Sequence, residues 1–88
     1  MEYLHYEFNT IPKEIIRVVI DRQANVMLMD SVNYAKYCSK KKHEFVGGLV
    51  VESPLYLKPP HPGHWHIVID SGGFPGKVSA NVNIIKKK

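Results

Sequence analysis

Apolar and polar positions alternate with period two along most of the chain, the pattern of strands that bury one face. From Tyr3 to Phe8, Leu4, Tyr6 and Phe8 share one face, and Tyr3, His5 and Glu7 share the other. Asn9-Thr10-Ile11-Pro12 reads as a break. Glu14 to Asp21 is a second strand with Ile16, Val18 and Ile20 on one face. Ile15, Arg17 and Val19 lie opposite, so that face is expected to be partly covered. A turn at Asp21-Arg22-Gln23 leads into a third strand, Ala24 to Asp30.

The period then changes. Asp30 or Ser31 is a good helix N-cap, and Val32 to Tyr37 contains no Gly or Pro, so a short helix is expected through Cys38. Two turns of helix are marginal alone, so this piece must dock through Tyr34 and Tyr37 or Cys38. A basic loop, Ser39 to His43, follows. Glu44 to Glu52 is a fourth strand, in which Gly47-Gly48 predicts a bulge, a bend or a close backbone approach. Pro54 to Lys58 is a short fifth strand, and Pro59 to Gly63 is extended and then turns.

His64 to Asp70 has the clearest alternation. Trp65, Ile67 and Ile69 form the expected core face, with Trp65 as its anchor, and His64, His66, Val68 and Asp70 form the other. Ser71 to Gly76 is a turn. Lys77 to Ile85 closes the domain as part of a last hairpin, with Val78, Ala80, Val82 and Ile84 inward and Ser79, Asn81 and Asn83 wet. Closely spaced short strands predict an all-β fold: a compact antiparallel β-sandwich or barrel of about six to seven strands, with one short helix near residues 31–38.

Composition adds limits. Eighty-eight residues make one domain and one core, with little room for a large enclosed cavity. A hydrophobic fraction of 44% and a charged fraction of 23% are globular values. Cys38 is the sole cysteine, so an intrachain disulfide is excluded, which fits a reducing, cytoplasmic setting. It is expected to be a small buried or half-buried residue. The opening Met1-Glu2-Tyr3-Leu4-His5 lacks the basic-then-apolar pattern of a signal peptide, and the apolar runs are too short for a membrane span. The net charge of +4 comes from Lys40-Lys41-Lys42 and Lys86-Lys87-Lys88; elsewhere acidic residues outnumber basic ones by two.

Five segments have a familiar order: Tyr3-Leu4-His5-Tyr6; Gln23-Ala24-Asn25-Val26 running to Leu28-Met29-Asp30; Asn33-Tyr34 with Tyr37; Gly47-Gly48; and Gly63-His64-Trp65-His66 with Val68, Asp70 and Gly72-Gly73. Together they resemble the bacterial domain of unknown function 1883 family, over about residues 2–85, as one β domain. The resemblance implies a compact β fold of the β-prism-like kind. It also implies a module that occurs alone or fused to Toll/interleukin-receptor-type domains. It supplies no activity, and a link to bacterial immune-type effectors rests only on the fused partner. Lys86 to Lys88 then reads as a basic tail or the stub of a linker.

Three histidines, His61, His64 and His66, crowd six residues. His64 and His66 lie two apart on a strand, with Cα atoms roughly 6–7 Å apart, and point to one face. With His61 from the preceding loop they form a candidate site for zinc, nickel or copper. The plainer reading is histidines bonded to neighbouring strands or water. Conceivable acid–base pairs are His66 with Glu44, and His5 with Glu7 through a neighbouring strand. Candidate nucleophiles are Ser31, Ser53, Ser71 and Cys38, none in a catalytic motif. Neither Gly47-Gly48 nor Gly72-Gly73 has the spacing of a phosphate cradle.

Lys40, Lys41 and Lys42 beside Tyr37, His43 and Phe45 are a candidate single-strand nucleic-acid contact, set against a net acidic body and the lack of a recognition motif. Tyr3, Tyr34, Tyr37, Tyr56 and Phe74 are a natural contact set for a partner, with core or edge packing as the plainer alternative. The expected function is therefore a non-catalytic binding or sensor module. Its contacts are assigned to His61, His64, His66, Tyr34, Tyr37 and Asp70, without an organic cofactor or membrane. The expected partner is a protein, a small polar ligand or a second copy of the chain.

Overall fold

The computed structural model describes residues 3–11, 14–73 and 76–86. Among them are seven strands and one helix, in the order β1 (Tyr3–Thr10), β2 (Glu14–Ile20), β3 (Ala24–Asp30), α1 (Ser31–Cys38), β4 (Val46–Val50), β5 (Leu55–Leu57), β6 (Gly63–Asp70) and β7 (Ala80–Lys86). They form a four-stranded sheet, β1-β6-β3-β4, and a three-stranded sheet, β5-β2-β7. Every pairing is antiparallel. Of the expected arrangements, the sandwich is the one that forms. No helix among the described residues is long and apolar enough to cross a membrane.

The core lies between the sheets. β2 contributes Ile16, Val18 and Ile20, and β3 contributes Ala24, Val26 and Leu28. β6 adds Trp65, Ile67 and Ile69, with Leu57 from β5. These are the inward faces that the period-two pattern predicts. Trp65 is buried, and its indole N–H donates to the His61 carbonyl at 2.9 Å. The other side of the larger sheet is covered where α1 crosses it. There Met27, Met29 and Val68 meet Tyr34 and Tyr37. Strands buried on both faces lose their polar alternation, which accounts for the unbroken Val26-Met27-Leu28-Met29 run in β3.

Asp30 starts the helix from an extended backbone (ψ 176°), and its carboxylate accepts from the Asn33 amide at 2.8 Å. That bond satisfies one of the open donors of the first turn. The observed helix matches the expected one.

Several expectations need correction. β1 continues through Asn9 and Thr10, because their partners on β6, His64 and Gly63, extend the ladder across the expected break. β4, β5 and β7 are shorter than the alternation suggested, and Lys77 to Ser79 precede the last strand. That strand makes no hairpin with β6. The chain crosses to the other sheet and β7 pairs with β2, from Glu14↔Lys86 to Ile20↔Ala80. Ile84, expected inside, is 39% exposed near the end of that ladder. Cys38 is exposed rather than buried, because α1 presents Tyr34 and Tyr37 to the sheet.

Candidate functional site

The outer face of the larger sheet carries a row of titratable side chains from two adjacent strands. The register places Glu7 opposite His66, Asn9 opposite His64 and His5 opposite Val68. Period two then puts His5, Glu7, His64 and His66 on the same surface. α1 lies over one side of this row and contributes Ser31 and Tyr34.

His66 is the centre of the group and is buried, 5% exposed. Its Nδ1 shares a hydrogen bond with His5 Nε2 at 2.8 Å, and its Nε2 shares one with Ser31 Oγ at 2.9 Å. The His5 and His66 ring centroids are 5.1 Å apart with planes only 10° apart, so the rings meet edge to edge. Tyr34 stacks over both, at 4.2 Å from His5 and 4.5 Å from His66. The Tyr34 hydroxyl reaches His5 Nδ1 at 3.3 Å and the Tyr3 hydroxyl at 3.1 Å. A continuous polar chain therefore runs from Ser31 through His66, His5 and Tyr34 to Tyr3. The Tyr3 hydroxyl lies 3.6 Å from Cys38 Sγ.

The open rim is Glu7 and His64, both roughly half exposed. His64 Nε2 meets Glu7 Oε1 at 3.0 Å, and its Nδ1 meets Asn9 Oδ1 at 2.9 Å. Glu7 Oε1 is also 3.8 Å from His66 Nδ1. The hydrogen bond with His64 holds the Glu7 carboxyl below its ordinary range. Burial, followed by the neighbouring His5, lowers His66 below the usual histidine value. The hydrogen bond with Tyr3, with burial added, raises Tyr34 above the usual tyrosine range. His66 is thus kept neutral and Glu7 ionised, so one side of the group offers ring nitrogens and the other a carboxylate.

The expected site residues divide. His64 and His66 share a face, with rings 5.0 Å apart. His61 does not join them. Its ring lies 4.9 Å from that of Trp65, which turns into the core, and its Nδ1 meets the Pro62 carbonyl at 3.0 Å. The three-histidine set proposed from sequence is corrected accordingly. His5, Glu7 and His66 instead offer ligand atoms that all lie within 4.8 Å of one another. His66 faces Glu7 rather than Glu44, which is exposed. Among the candidate nucleophiles, Ser31 is the one beside a histidine nitrogen.

Tyr37 and Asp70 serve the far end of the helix. Asp70 is buried and accepts from Asn25 Nδ2 at 3.0 Å, the Gly72 amide at 2.8 Å and the Tyr37 hydroxyl at 3.2 Å. Its oxygens are therefore committed to structure. Burial and then the Asp70 charge push the Tyr37 hydroxyl up to about 12. An open cleft of about 590 Å³ lies beside Asp70, lined by Tyr3, Leu4, Ile69 and Val78 among others.

Lys40, Lys41 and Lys42 are exposed on the loop after α1. The nearby aromatics stack locally, with Tyr37 and His43 at 5.3 Å and His43 and Phe45 at 5.6 Å. The lysines therefore stand at the opposite end of α1 from Ser31. Tyr56 is exposed and Tyr3 borderline, while Phe74 and the last two lysines lie outside the described residues.

His5, Glu7 and Ser31 complete a cluster that the sequence presents in pieces, His5 with Glu7 as one candidate pair and Ser31 as a separate candidate nucleophile. Their signal was present in the alternation that put His5 and Glu7 on one face of the first strand. Their common neighbour, His66, is set by a register linking opposite ends of the chain. Comparison with curated proteins and with solved structures finds no significant match to either. The family described as Domain of unknown function (DUF1883) matches residues 1–88, and the chain belongs to it.

Proposed function

We propose that this domain is a small non-catalytic binding module that receives a small polar ligand on the helix-bearing face, at the rim formed by Glu7 and His64. The observation that carries this reading is the half-open cluster itself. A neutral, buried His66 forms its floor, and ionised Glu7 with His64 forms an exposed edge. Packing alone does not require such a group on the outer face, since Met27, Met29 and Val68 cover the same sheet under α1 with apolar atoms. Strand-mounted side chains are also held more rigidly than loop residues, which lowers the ordering cost of binding.

The test is an amide-shift titration of the chain with a panel of nucleotides, sugars and small organic acids. At least one ligand should move the amides of residues 5–9 and 64–66, and Glu7→Gln with His64→Asn should abolish that response. Shifts confined to the cleft at Asp70, or to Lys40 to Lys42, would move the site elsewhere. Silence across the panel removes the small-ligand reading and leaves a protein contact.

One distance supports a second reading. Ser31 Oγ lies 2.9 Å from His66 Nε2, the separation of a nucleophile and its base. His5, not a carboxylate, orients the other side of that base. Covalent labelling of Ser31 by a fluorophosphonate, lost in Ser31→Ala, would favour this reading. An unlabelled chain would dismiss it.

A further inference from the structure

We infer that the helix-bearing face holds one divalent transition-metal ion of the zinc class, bound by His5 Nε2, His66 Nδ1 and a Glu7 carboxylate oxygen. This inference rests on the binding-module reading and names a ligand for its site.

The distances bracket what a metal needs. His5 Nε2 and His66 Nδ1 are 2.8 Å apart, and His66 Nδ1 and Glu7 Oε1 are 3.8 Å apart. Donors bound to zinc at about 2.0–2.1 Å in a tetrahedron stand roughly 3.3 Å from one another. The third separation, His5 to Glu7, is within 4.8 Å, so forming the set takes a movement of up to about 1.5 Å at that pair. The two outer ligands have room to make it. Glu7 is on the exposed rim, and His5 is half-buried on β1, an edge strand of its sheet. The fourth position falls to water or to His64, whose Nε2 already touches Glu7.

The far side of each imidazole strengthens the assignment. A metal-bound histidine is normally oriented by a hydrogen bond from its second nitrogen. His5 Nδ1 meets the Tyr34 hydroxyl and His66 Nε2 meets Ser31 Oγ, so both orienting oxygens come from α1. In the free chain, one hydrogen lies between the two facing nitrogens. On coordination, the ring carrying that hydrogen changes tautomer. Both rings then point N–H at α1 and a lone pair at the ion. With one hydrogen on each ring, this change involves no net loss of a proton. The N,N,O donor set suits zinc, copper or nickel and is a poor match for magnesium or calcium. All three ligands come from the sheet while α1 orients two of the rings, so occupancy would tighten the docking of α1.

The experiment is calorimetric titration of zinc into the full chain after chelator treatment and dialysis. Imidazole nitrogen spectra are recorded alongside. One zinc per chain is expected, with the His5 Nε2 and His66 Nδ1 resonances changing and magnesium giving no signal. Glu7→Gln and His5→Ala should each weaken binding at least about tenfold, and Tyr34→Phe should weaken it about tenfold through the lost orienting bond. His61→Ala should leave it unchanged. Glu7 is exposed, so Glu7→Gln keeps the fold and its result stands even if His5→Ala does not fold. Absence of stoichiometric uptake overturns the inference. So does an affinity unchanged in Glu7→Gln, or uptake that disappears in His61→Ala. If zinc fails while a nucleotide, sugar or organic acid still moves the amides of β1 and β6, the metal falls and the binding module stands. If neither binds, the metal and the small-ligand reading both fall.

Discussion

At the residue scale, Gly47 separates a backbone requirement from a side-chain preference. Its φ is +120°, and a Cβ placed there would fall on the Val26 carbonyl oxygen across the β3–β4 ladder. Gly48 has a similar φ, +141°, but open space where its Cβ would be. Gly48→Ala should therefore cost about 1–3 kcal/mol from backbone strain alone. Gly47→Ala should cost visibly more, because β3 must also move; denaturant midpoints measure both, and equal losses would refute the contact argument. Tyr37 gives a pH prediction. Its hydroxyl is raised from 10.0 to about 12 by burial and then by Asp70. A tyrosine raised in this way contributes stability that is fully present below 10.0 and is lost as pH rises through about 12. Thermal midpoints across that window should fall less steeply in Tyr37→Phe than in wild type. The half of the site given by His64 and His66 was legible at this scale, since two residues on one strand must share a face. That His5 and Glu7 join them was not, because the β1–β6 register decides which side chains they meet. His61 stands apart from this group because its loop bends toward Trp65, a tertiary contact that local spacing does not encode.

At the element scale, β3 and α1 were legible to the residue, and each carries a local signal. β3 has a turn before it and a capping aspartate at its end. α1 has that same Asp30 as cap, with a second bond from Asn33 Nδ2 to its carboxylate at 2.9 Å. Eight residues do not form a stable helix unaided, so the cap and the two docked tyrosines must supply what propensity lacks. Asp30→Ala should destabilise the protein by about 1 kcal/mol. Hydrogen exchange should accelerate first at the amides of α1. A cost near zero, or faster exchange in the sheets with α1 unchanged, would deny the cap its role. The edges were less legible than the centres. β4, β5 and β7 each began or ended away from the expected position, because a strand ends where its pairing with the neighbouring strand ends. Tyr6 on β1 illustrates the dependence. Its alternation marked it as inward, but its hydroxyl donates to the Ala80 carbonyl at 3.3 Å, on a strand of the opposite sheet.

At the scale of the molecule, the path of the chain determines how the domain comes apart. Successive strands change sheet at every connection except β3–α1–β4. β1 therefore waits for β6, and β2 waits for β7, before either ladder closes. No continuous half of the sequence holds a complete sheet, and both sheets close on the same core of Ile16, Val18, Val26, Leu28, Ile67 and Ile69. Sequence patterning gave the two-faced strands but not this order, since alternation records which face is inward and not which strand lies alongside. The consequence is a single cooperative transition, with slow folding on a scale of about milliseconds to seconds because the pairings are distant in sequence. Trp65, the sole tryptophan, reports on the shared core, and far-ultraviolet dichroism reports on all strands. Their denaturation curves should coincide. Ile67 is fully buried on an inner strand, so Ile67→Ala should lower both midpoints together, by about 2–5 kcal/mol in stability. If the variant loses its tryptophan signal while strand dichroism persists, the three-stranded sheet survives without its partner, and the interlocked path does not couple the two layers.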